Sequence, residues 1–435
     1  MDIKKTDELI SSVWLTLALG VSNPAVSSLI NRYRTAQQAR FALCGKEDPE
    51  TAAIAGEYHD RISKTAVSQC EKIIDDCIKN GIGTLICYDE NYPEALQYID
   101  NPPAVLYYKG DISEINSKAL FSVVGTREPS EYSRSVAKAV SKSLALCGFH
   151  IVSGFAAGID IASQTAAASA GGKTYAVMGC GIDYNYPKCN FQYRDLILSH
   201  GGFLSEYSPG TRPGYNTFPP RNRIIAGMSL GTAVIEAGIK SGSLITANYC
   251  NDQGKTLFVV PPHDIFDLRY GGNVALIRDG AVPLMSSRDI VYEYYPENQD
   301  KLSDKAGELL ESSDFINTEV YKRTGMGPAR RKISDGAIIP QPPLPGTFGH
   351  KKKQSKKKAA ETAPKTAEIS RELPELDGDK KTIAEMIMNA GRPVIPDEIA
   401  EKTNLDTSEV LSLLVDLELD GVVVCGAGGT YTIDN

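Results

Sequence analysis

The sequence predicts an α/β protein, a parallel sheet between a small helical domain and a winged helix. Three observations predict it. From about residue 118 to 295, short β-rich runs alternate with helical stretches, as in ALFSVV, FHIVSG, KTYAVMGCG, GGFLSEYS, GTAVIEAG and KTLFVVPP. That alternation marks parallel strands joined by helical crossovers. Glycines cluster where these runs end, and in such sheets ligands bind outside the carboxyl ends of the strands. Residues 379–435 read as three short helices and a two-stranded hairpin. The 435 residues have room for roughly two to four domains.

Residues 1–80 form the helical domain. DELISSVWLTLALG and NPAVSSLINRYR carry apolar residues at helical spacing, with Asp7 and Asn23 as caps. The expected role is packing and spacing. Residues 81–295 hold the α/β unit, and 81–117 read as a connector with one strand-like piece and proline-punctuated extended pieces. Residues 296–378 are poor in large apolar groups and rich in Pro, Lys and Glu. PQPPLPGTFGHKKKQSKKKAAETAPKTA cannot bury enough surface to fold, which predicts a flexible basic linker. In residues 379–435, KKTIAEMIMNAG, PDEIAEKTN and TSEVLSLLVDLELDG give the helices, and VVVCGAGGTYTI gives the hairpin.

Composition narrows the function. Hydrophobic content of 42% and charged content of 23% are ordinary for a soluble globular protein. No apolar run approaches the roughly 18 residues of a membrane span. MDIKKTDELISSVW lacks the apolar core and cleavage site of a signal peptide, so the expected location is cytoplasmic. Nine cysteines include no CxxC pair, the nearest spacing being Cys70 to Cys77. Free, mostly buried thiols are expected rather than a zinc ribbon or a disulfide framework. The five histidines are scattered, and no metal site is expected. The net charge of −8 hides a concentration of basic charge: residues 321–358 hold eleven Lys and Arg against Asp335 alone.

The strand ends supply the candidate site. VVGTREPSEYS holds one glycine, Gly125, where a dinucleotide fingerprint needs GxGxxG, and the second strand ends in Ser153-Gly154 rather than an acid. NAD is disfavoured and no cofactor is expected. Arg127 projects from that turn, where a solvated loop arginine is an equal alternative. GFAAGID offers Gly154 and Gly158 with backbone N–H groups free for an anion. GCGIDYNYPK offers Gly179, Gly181, two tyrosines and Lys188. Tight turns at positive φ account for the glycines. They do not account for Arg127, Lys188, Arg221 and Arg223 arriving on one edge.

In FPPRNRIIAGMS, Arg221, Asn222 and Arg223 open a helix whose N-terminus already favours anions. Ile224, Ile225 and Met228 share the face of Arg221 and pack on the sheet, which puts Arg221 near the rim. A phosphate there would satisfy helix and arginines together; a salt bridge to Glu206 or Glu236 is the rival. In EAGIKSGSLITAN, Ser241 or Ser243 caps the next helix and Gly242 permits close approach. Ser243 has no nearby histidine and no nucleophile-elbow pattern, so phosphate contact or capping is favoured over catalysis. Glu206 and Glu236 as a glycosidase-like pair are a minor reading. Phe155, Tyr184, Tyr186, Tyr207, Tyr215 and Phe218 accompany the basic residues. Arginines with aromatics suit single-stranded nucleic acid, where stacking contributes about 1–3 kcal/mol per base. The winged helix differs. From 405 to 435 it has six acids and no Lys or Arg, so a duplex would repel it. It reads as a protein-contact module or a regulatory flap that rests on the basic groove.

VVGTRE, SGFAAGID, TYAVMGCGIDYNYP, LSEYSPG, FPPRNRIIAGMS, EAGIKSGSLITAN, VVPP and GGNVALIRDGA resemble, in order and spacing, the motifs of the DprA (DNA-processing protein A, or Smf) family over roughly residues 85–290. The helical (SAM-like) N-terminal domain and the winged helix fit that family's layout. The resemblance implies an extended Rossmann-like parallel sheet core that binds single-stranded DNA. It implies loading of the RecA recombinase in natural transformation, homodimers through the Rossmann domain, and no catalytic activity. DNA contacts carry over onto Arg127 and Lys188, and more loosely onto Arg221 and Arg223. The family usually has a basic residue where Ala157 stands, histidine where Gln164 stands, and glycine where Ser133 and Pro262 stand. These departures thin the positive pocket. The lysine-rich linker is expected to compensate as an electrostatic tether, and unchanged low-salt affinity after deletion of residues 321–358 would end that idea. The expected nucleic-acid-binding set is Gly125, Arg127, Gly154, Gly158, Gly179, Gly181, Lys188, Arg221, Asn222, Arg223, Ser241, Gly242 and Ser243. A nucleoside monophosphate hydrolase of Rossmann type is the alternative, but GTAVIEAG has the acid without the PGG that such enzymes carry. A transcription regulator is disfavoured by the acidic winged helix.

Overall fold

The computed structural model describes residues 3–311, 376, 378–403, 405–426 and 430–433. The N-terminal unit packs α1 (Ile3–Leu19), α2 (Pro24–Tyr33), α3 (Ala36–Gly45), α4 (Pro49–Glu57), α5 (His59–Lys64) and α6 (Val67–Lys79) around Leu9, Val13, Leu15 and Leu29. Asn23 caps α2 as expected, its Oδ1 accepting from Ala25 N at 2.9 Å with Pro24 at the first helical position. Asp7 is no cap: α1 starts at Ile3, because nothing between Ile3 and Asp7 breaks a helix.

The sheet holds β1 (Gly83–Leu85), β2 (Leu106–Gly110), β3 (Leu120–Val124), β4 (His150–Ser153), β5 (Thr174–Met178), β6 (Gly201–Ser205), β7 (Gly231–Val234), β8 (Thr256–Val259) and β9 (Val282–Pro283) in the order β1-β2-β6-β5-β4-β3-β7-β8-β9. From β6 to β9 all neighbours pair parallel. The stretch read as a connector supplies β1 and β2, which extend the sheet antiparallel beyond β6. Parallel strands are covered on both faces and read as unbroken apolar runs. β3 fits this, with every residue buried and Ser122 satisfied by the Thr232 hydroxyl at 2.7 Å.

The crossovers are α7 (Glu131–Leu146), α8 (Ile159–Ser169), α9 (Arg194–Ser199), α10 (Phe218–Met228), α11 (Ser243–Asp252) and α12 (Gly271–Arg278), followed by α13 (Ser287–Tyr294). The chain runs outward from β3 to β6 and returns to build β7 on the other side of β3. That reversal leaves a crevice at the carboxyl ends of the central strands. α10 begins at Phe218, earlier than the prolines suggested, because proline in a first turn lacks only an N–H that would have no helical partner. Arg221 therefore ends the first turn and Arg223 sits in the second.

Part of the expected linker is folded. α14 (Asp304–Glu311) buries Ala306, with Leu302 before it, in the cluster that holds Leu144 and Cys147. Ser303 N donates to Cys147 O at 2.9 Å. The few apolar residues here suffice because they land on an existing core. Residues 312–375 and 377 of the linker lie outside the described residues.

The C-terminal unit comprises α15 (Gly378–Ala390), α16 (Pro396–Thr403), α17 (Thr407–Leu419), β10 (Val423–Cys425) and β11 (Tyr431–Ile433), packed around Ile383, Ile387, Ile399, Val410 and Leu414. A bridge from Val394 to Tyr431 completes the wing. This unit docks on the sheet's carboxyl edge. Val415 is buried in a cluster with Met178, Cys180 and Tyr186, and Cys189 packs on the winged-helix core.

Candidate nucleic-acid interface

A cavity of about 880 Å³ lies at the carboxyl ends of β3, β4, β5 and β7. One wall is the turn after β3. Gly125 is required there, because a Cβ would stand 2.6 Å from Ile159 Cγ1. The Arg127 guanidinium lies 5.5 Å over the Phe218 ring, and Phe218 stacks on Tyr186 with centroids 5.5 Å apart and planes at 29°. Among the described residues no carboxylate forms an ion pair with Arg127. Arg127, Phe218 and Tyr186 thus form one stacked cation–aromatic group on the cavity wall.

The turn after β4 is built differently from expectation. The Gly154 N–H is not free for an anion: it donates to Asp160 Oδ2 at 3.1 Å. Phe155 adopts φ +56, a left-handed conformation unusual for a bulky side chain. Its buried ring meets Phe203 edge-on at 5.0 Å, and its carbonyl accepts from Asn190 Nδ2 at 2.8 Å. Gly158, at φ +85, lets α8 begin against the Arg127 turn, since a Cβ would meet Thr126 O at 2.4 Å. It lies behind the cavity wall.

Arg221 is buried. Its Nη1 donates to Gly154 O at 2.8 Å and to Val177 O, and its Nε donates to Asn222 Oδ1 at 3.1 Å. It thus ties the ends of β4 and β5 together. Burial pushes Asp160 up, and Arg221 opposes that shift. Arg221 and Asn222 both line the cavity. Arg223 does not. Its Nη2 pairs with Glu206 Oε1 at 2.8 Å, with both side chains about 5% exposed or less. The negative partner of this arginine lies within the chain.

Gly179 also lines the cavity, and a Cβ there would stand 2.5 Å from Phe218 Cδ1. Gly181 lies outside the wall, its N–H donating to Thr211 O at 2.9 Å. Lys188 opens a 3-10 turn, Lys188–Tyr193, beside Glu418 of α17 rather than in the cavity. Ser241, Gly242 and Ser243 line the far wall at the start of α11. The two hydroxyls are 2.8 Å apart, and Ser243 N donates to Ser241 Oγ at 3.4 Å; the cap position itself is Gly242, so neither serine is the expected N-cap. Of the aromatics, Tyr186 and Phe218 reach the cavity, while Tyr207 donates to Thr217 O at 3.0 Å.

Glu206 and Glu236 are engaged separately. Glu236 Oε2 accepts from Ser130 N at 3.0 Å and Ser130 Oγ at 2.6 Å, far from the Arg223 pair in bonding. Ser133 joins this network through Tyr270 OH at 2.6 Å. Among the family departures, Ala157 lines the cavity, whereas Gln164 donates to Thr174 Oγ1 at 3.2 Å behind it. Sequence reasoning missed Glu128, Lys240 and Asn248, which also line the wall. Lys240 lay within the EAGIKSGS motif and could have been found there. Burial, together with Asp397 of α16, pushes Glu128 up to about 7. Among the described residues no cluster of His, Cys, Asp or Glu could hold a metal, and no helix is long and apolar enough to cross a membrane.

A family model described as DNA recombination-mediator protein A matches residues 83–295, and one described as DprA winged helix domain matches residues 364–429. The DNA processing protein DprA of Bacillus subtilis is 41% identical over 219 residues, 50% of this chain and 73% of that protein. Protein Smf of Synechocystis is 39% identical over 207 residues, 47% of this chain and 52% of that protein. The X-ray structure of DNA processing protein A from Streptococcus pneumoniae superposes with a TM-score of 0.56 at 31% identity, covering 65% of this chain and 97% of that one. The family models cover both the sheet that carries the cavity and the winged helix that closes it, and the chain belongs to the DprA/Smf family of DNA recombination-mediator proteins.

Proposed function

We propose that this protein binds single-stranded DNA in the carboxyl-edge cavity and passes it to a RecA-type recombinase in the cytoplasm, without catalysis of its own. The observation that carries the reading is Arg127, unpaired by any described carboxylate and lying over Phe218, which stacks on Tyr186. Arg221 and Asp160 hold the strand ends so that this group faces the cavity. Family membership and relatives named for DNA processing support the same ligand. A homodimer is part of the proposal. Val282 of the short edge strand β9 and Met285 just after it are exposed, and a second copy would cover such an edge.

Fluorescence anisotropy with labelled single-stranded and duplex oligonucleotides across a salt series tests it. Wild type should prefer single strands. Arg127→Ala should lose affinity, and its log–log salt slope should shrink by about 0.7 for each phosphate contact removed. If no single strand binds, the reading fails, and nucleotide hydrolysis becomes the next assay.

A further inference from the structure

The docked winged helix brings together two cysteines that the proposed DNA contacts leave unused. Cys189 follows Lys188 in the 3-10 turn beside the site, and Cys425 ends β10. Their Sγ atoms lie 3.8 Å apart across the boundary between the sheet domain and the winged helix. A disulfide needs about 2.05 Å, a difference that side-chain rotation with a small backbone adjustment can close. Among the described residues no other two cysteine sulfurs are in contact. Cys189 is half-buried and Cys425, 6% exposed, lies on the cavity wall, so a small oxidant has to reach only Cys189. The neighbouring Cys425 thiol holds Cys189 below the usual thiol range, while Cys189 and burial push Cys425 up. Cys189, the more exposed of the two, is the sulfur that an oxidant meets first.

The position of the pair gives the bond a consequence. Glu418 of α17, 1% exposed, is pushed up by burial, and that shift is opposed by Lys188, a contact expected from the sequence that lies outside the cavity, and by Arg127 of the proposed site. Val415 is buried in the cluster that holds Tyr186. A strand entering the cavity meets a winged helix already seated on its contacts.

We propose that Cys189 and Cys425 form a redox latch: a two-electron oxidant of the hydroperoxide class joins them as an interdomain disulfide and holds the winged helix over the site. The Cys189 thiolate attacks a peroxide oxygen, the O–O bond breaks, and hydroxide leaves a sulfenic acid on Cys189. The Cys425 sulfur then attacks that sulfur. The S–S bond forms, and the sulfenic hydroxyl leaves as water with the Cys425 proton. The peroxide is reduced by the two electrons the thiols give up, and a dithiol reductant reverses the reaction. The effect on DNA rests on the single-strand-binding reading. Apparent affinity scales with the fraction of open molecules, so locking nine molecules in ten weakens binding about tenfold.

The test uses the full chain, hydrogen peroxide, alkylation of remaining thiols, and non-reducing peptide mass spectrometry. The same samples are titrated with a labelled single strand. A peptide pair joined through Cys189 and Cys425 is expected in wild type, with binding weakened about tenfold or more and restored by dithiothreitol. Cys189→Ser, which lies outside the cavity wall, should bind like reduced wild type before and after peroxide. Absence of the joined peptides overturns the latch, as does equal loss of affinity on peroxide treatment in wild type and Cys189→Ser. If the reduced protein binds no single strand, the previous section's reading fails instead, and the joined peptides still decide whether the disulfide forms.

Discussion

Arg223 and Glu206 form a buried pair in which each side chain is the other's compensation. Removing one partner leaves a buried charge unpaired, which costs about 3–5 kcal/mol. Arg223→Ala should therefore lose about that much stability in urea denaturation, and DNA affinity should fall only through unfolding. Arg127→Ala should show the opposite pattern. His150 makes a second prediction. Burial pushes it down to about 4, with Glu114 at 3.6 Å opposing. Its unfolded value is about 6.5, so between the two the unfolded chain binds more protons. The stability is complete above about pH 6.5 and is lost as pH falls toward 4, by at most about 3 kcal/mol. Relative to wild type, His150→Asn should gain stability at pH 4.5 compared with pH 7.5. An equal difference at both values would refute this. At this scale Arg127 was legible, because its turn follows an unbroken apolar strand. Arg223's partner was legible only as a choice: Glu206 stood beside Glu236 as a rival to phosphate, and a separation of 17 positions gave no way to choose between them or between the two arginines.

At the scale of elements, Gly158 shows how a turn is fixed by the absence of a side chain. Its φ of +85 and a Cβ position 2.4 Å from Thr126 O and 2.5 Å from Arg127 O leave no room for alanine. Gly158→Ala should destabilise by about 2 kcal/mol or more and displace the Arg127 turn. A thermal melt and a DNA titration of the variant check both parts. The parallel strands were readable because burial on both faces demands continuous apolar runs. β1 and β2 were legible only as one strand-like piece and extended pieces, because prolines around them mimic a connector and the pairing of β2 with β6 is set by distant residues. α14 was hidden for a related reason: Leu302 and Ala306 are few, and their burial depends on a surface formed by α7. The start of α10 was misplaced because its prolines are compatible with both an extended segment and a first helical turn.

For the whole molecule, the acidic charge of the winged helix was plain in the sequence, and so was the glycine-rich edge of the sheet. Their contact was one of two readings, a flap resting on the groove, but the residues that make it, Val415, Cys189 and Glu418, are distinguished by no periodicity from ordinary core positions. The central claim is that single-stranded DNA occupies the cavity at the carboxyl edge. Amide hydrogen exchange on the full chain, with and without saturating oligothymidylate, tests it most directly. The account predicts slower exchange in residues 124–128, 178–188 and 240–248, with faster exchange in residues 407–425 as the winged helix is displaced. Unchanged exchange in those sheet-edge segments, with protection confined to the N-terminal helices or to residues 321–358, would contradict it.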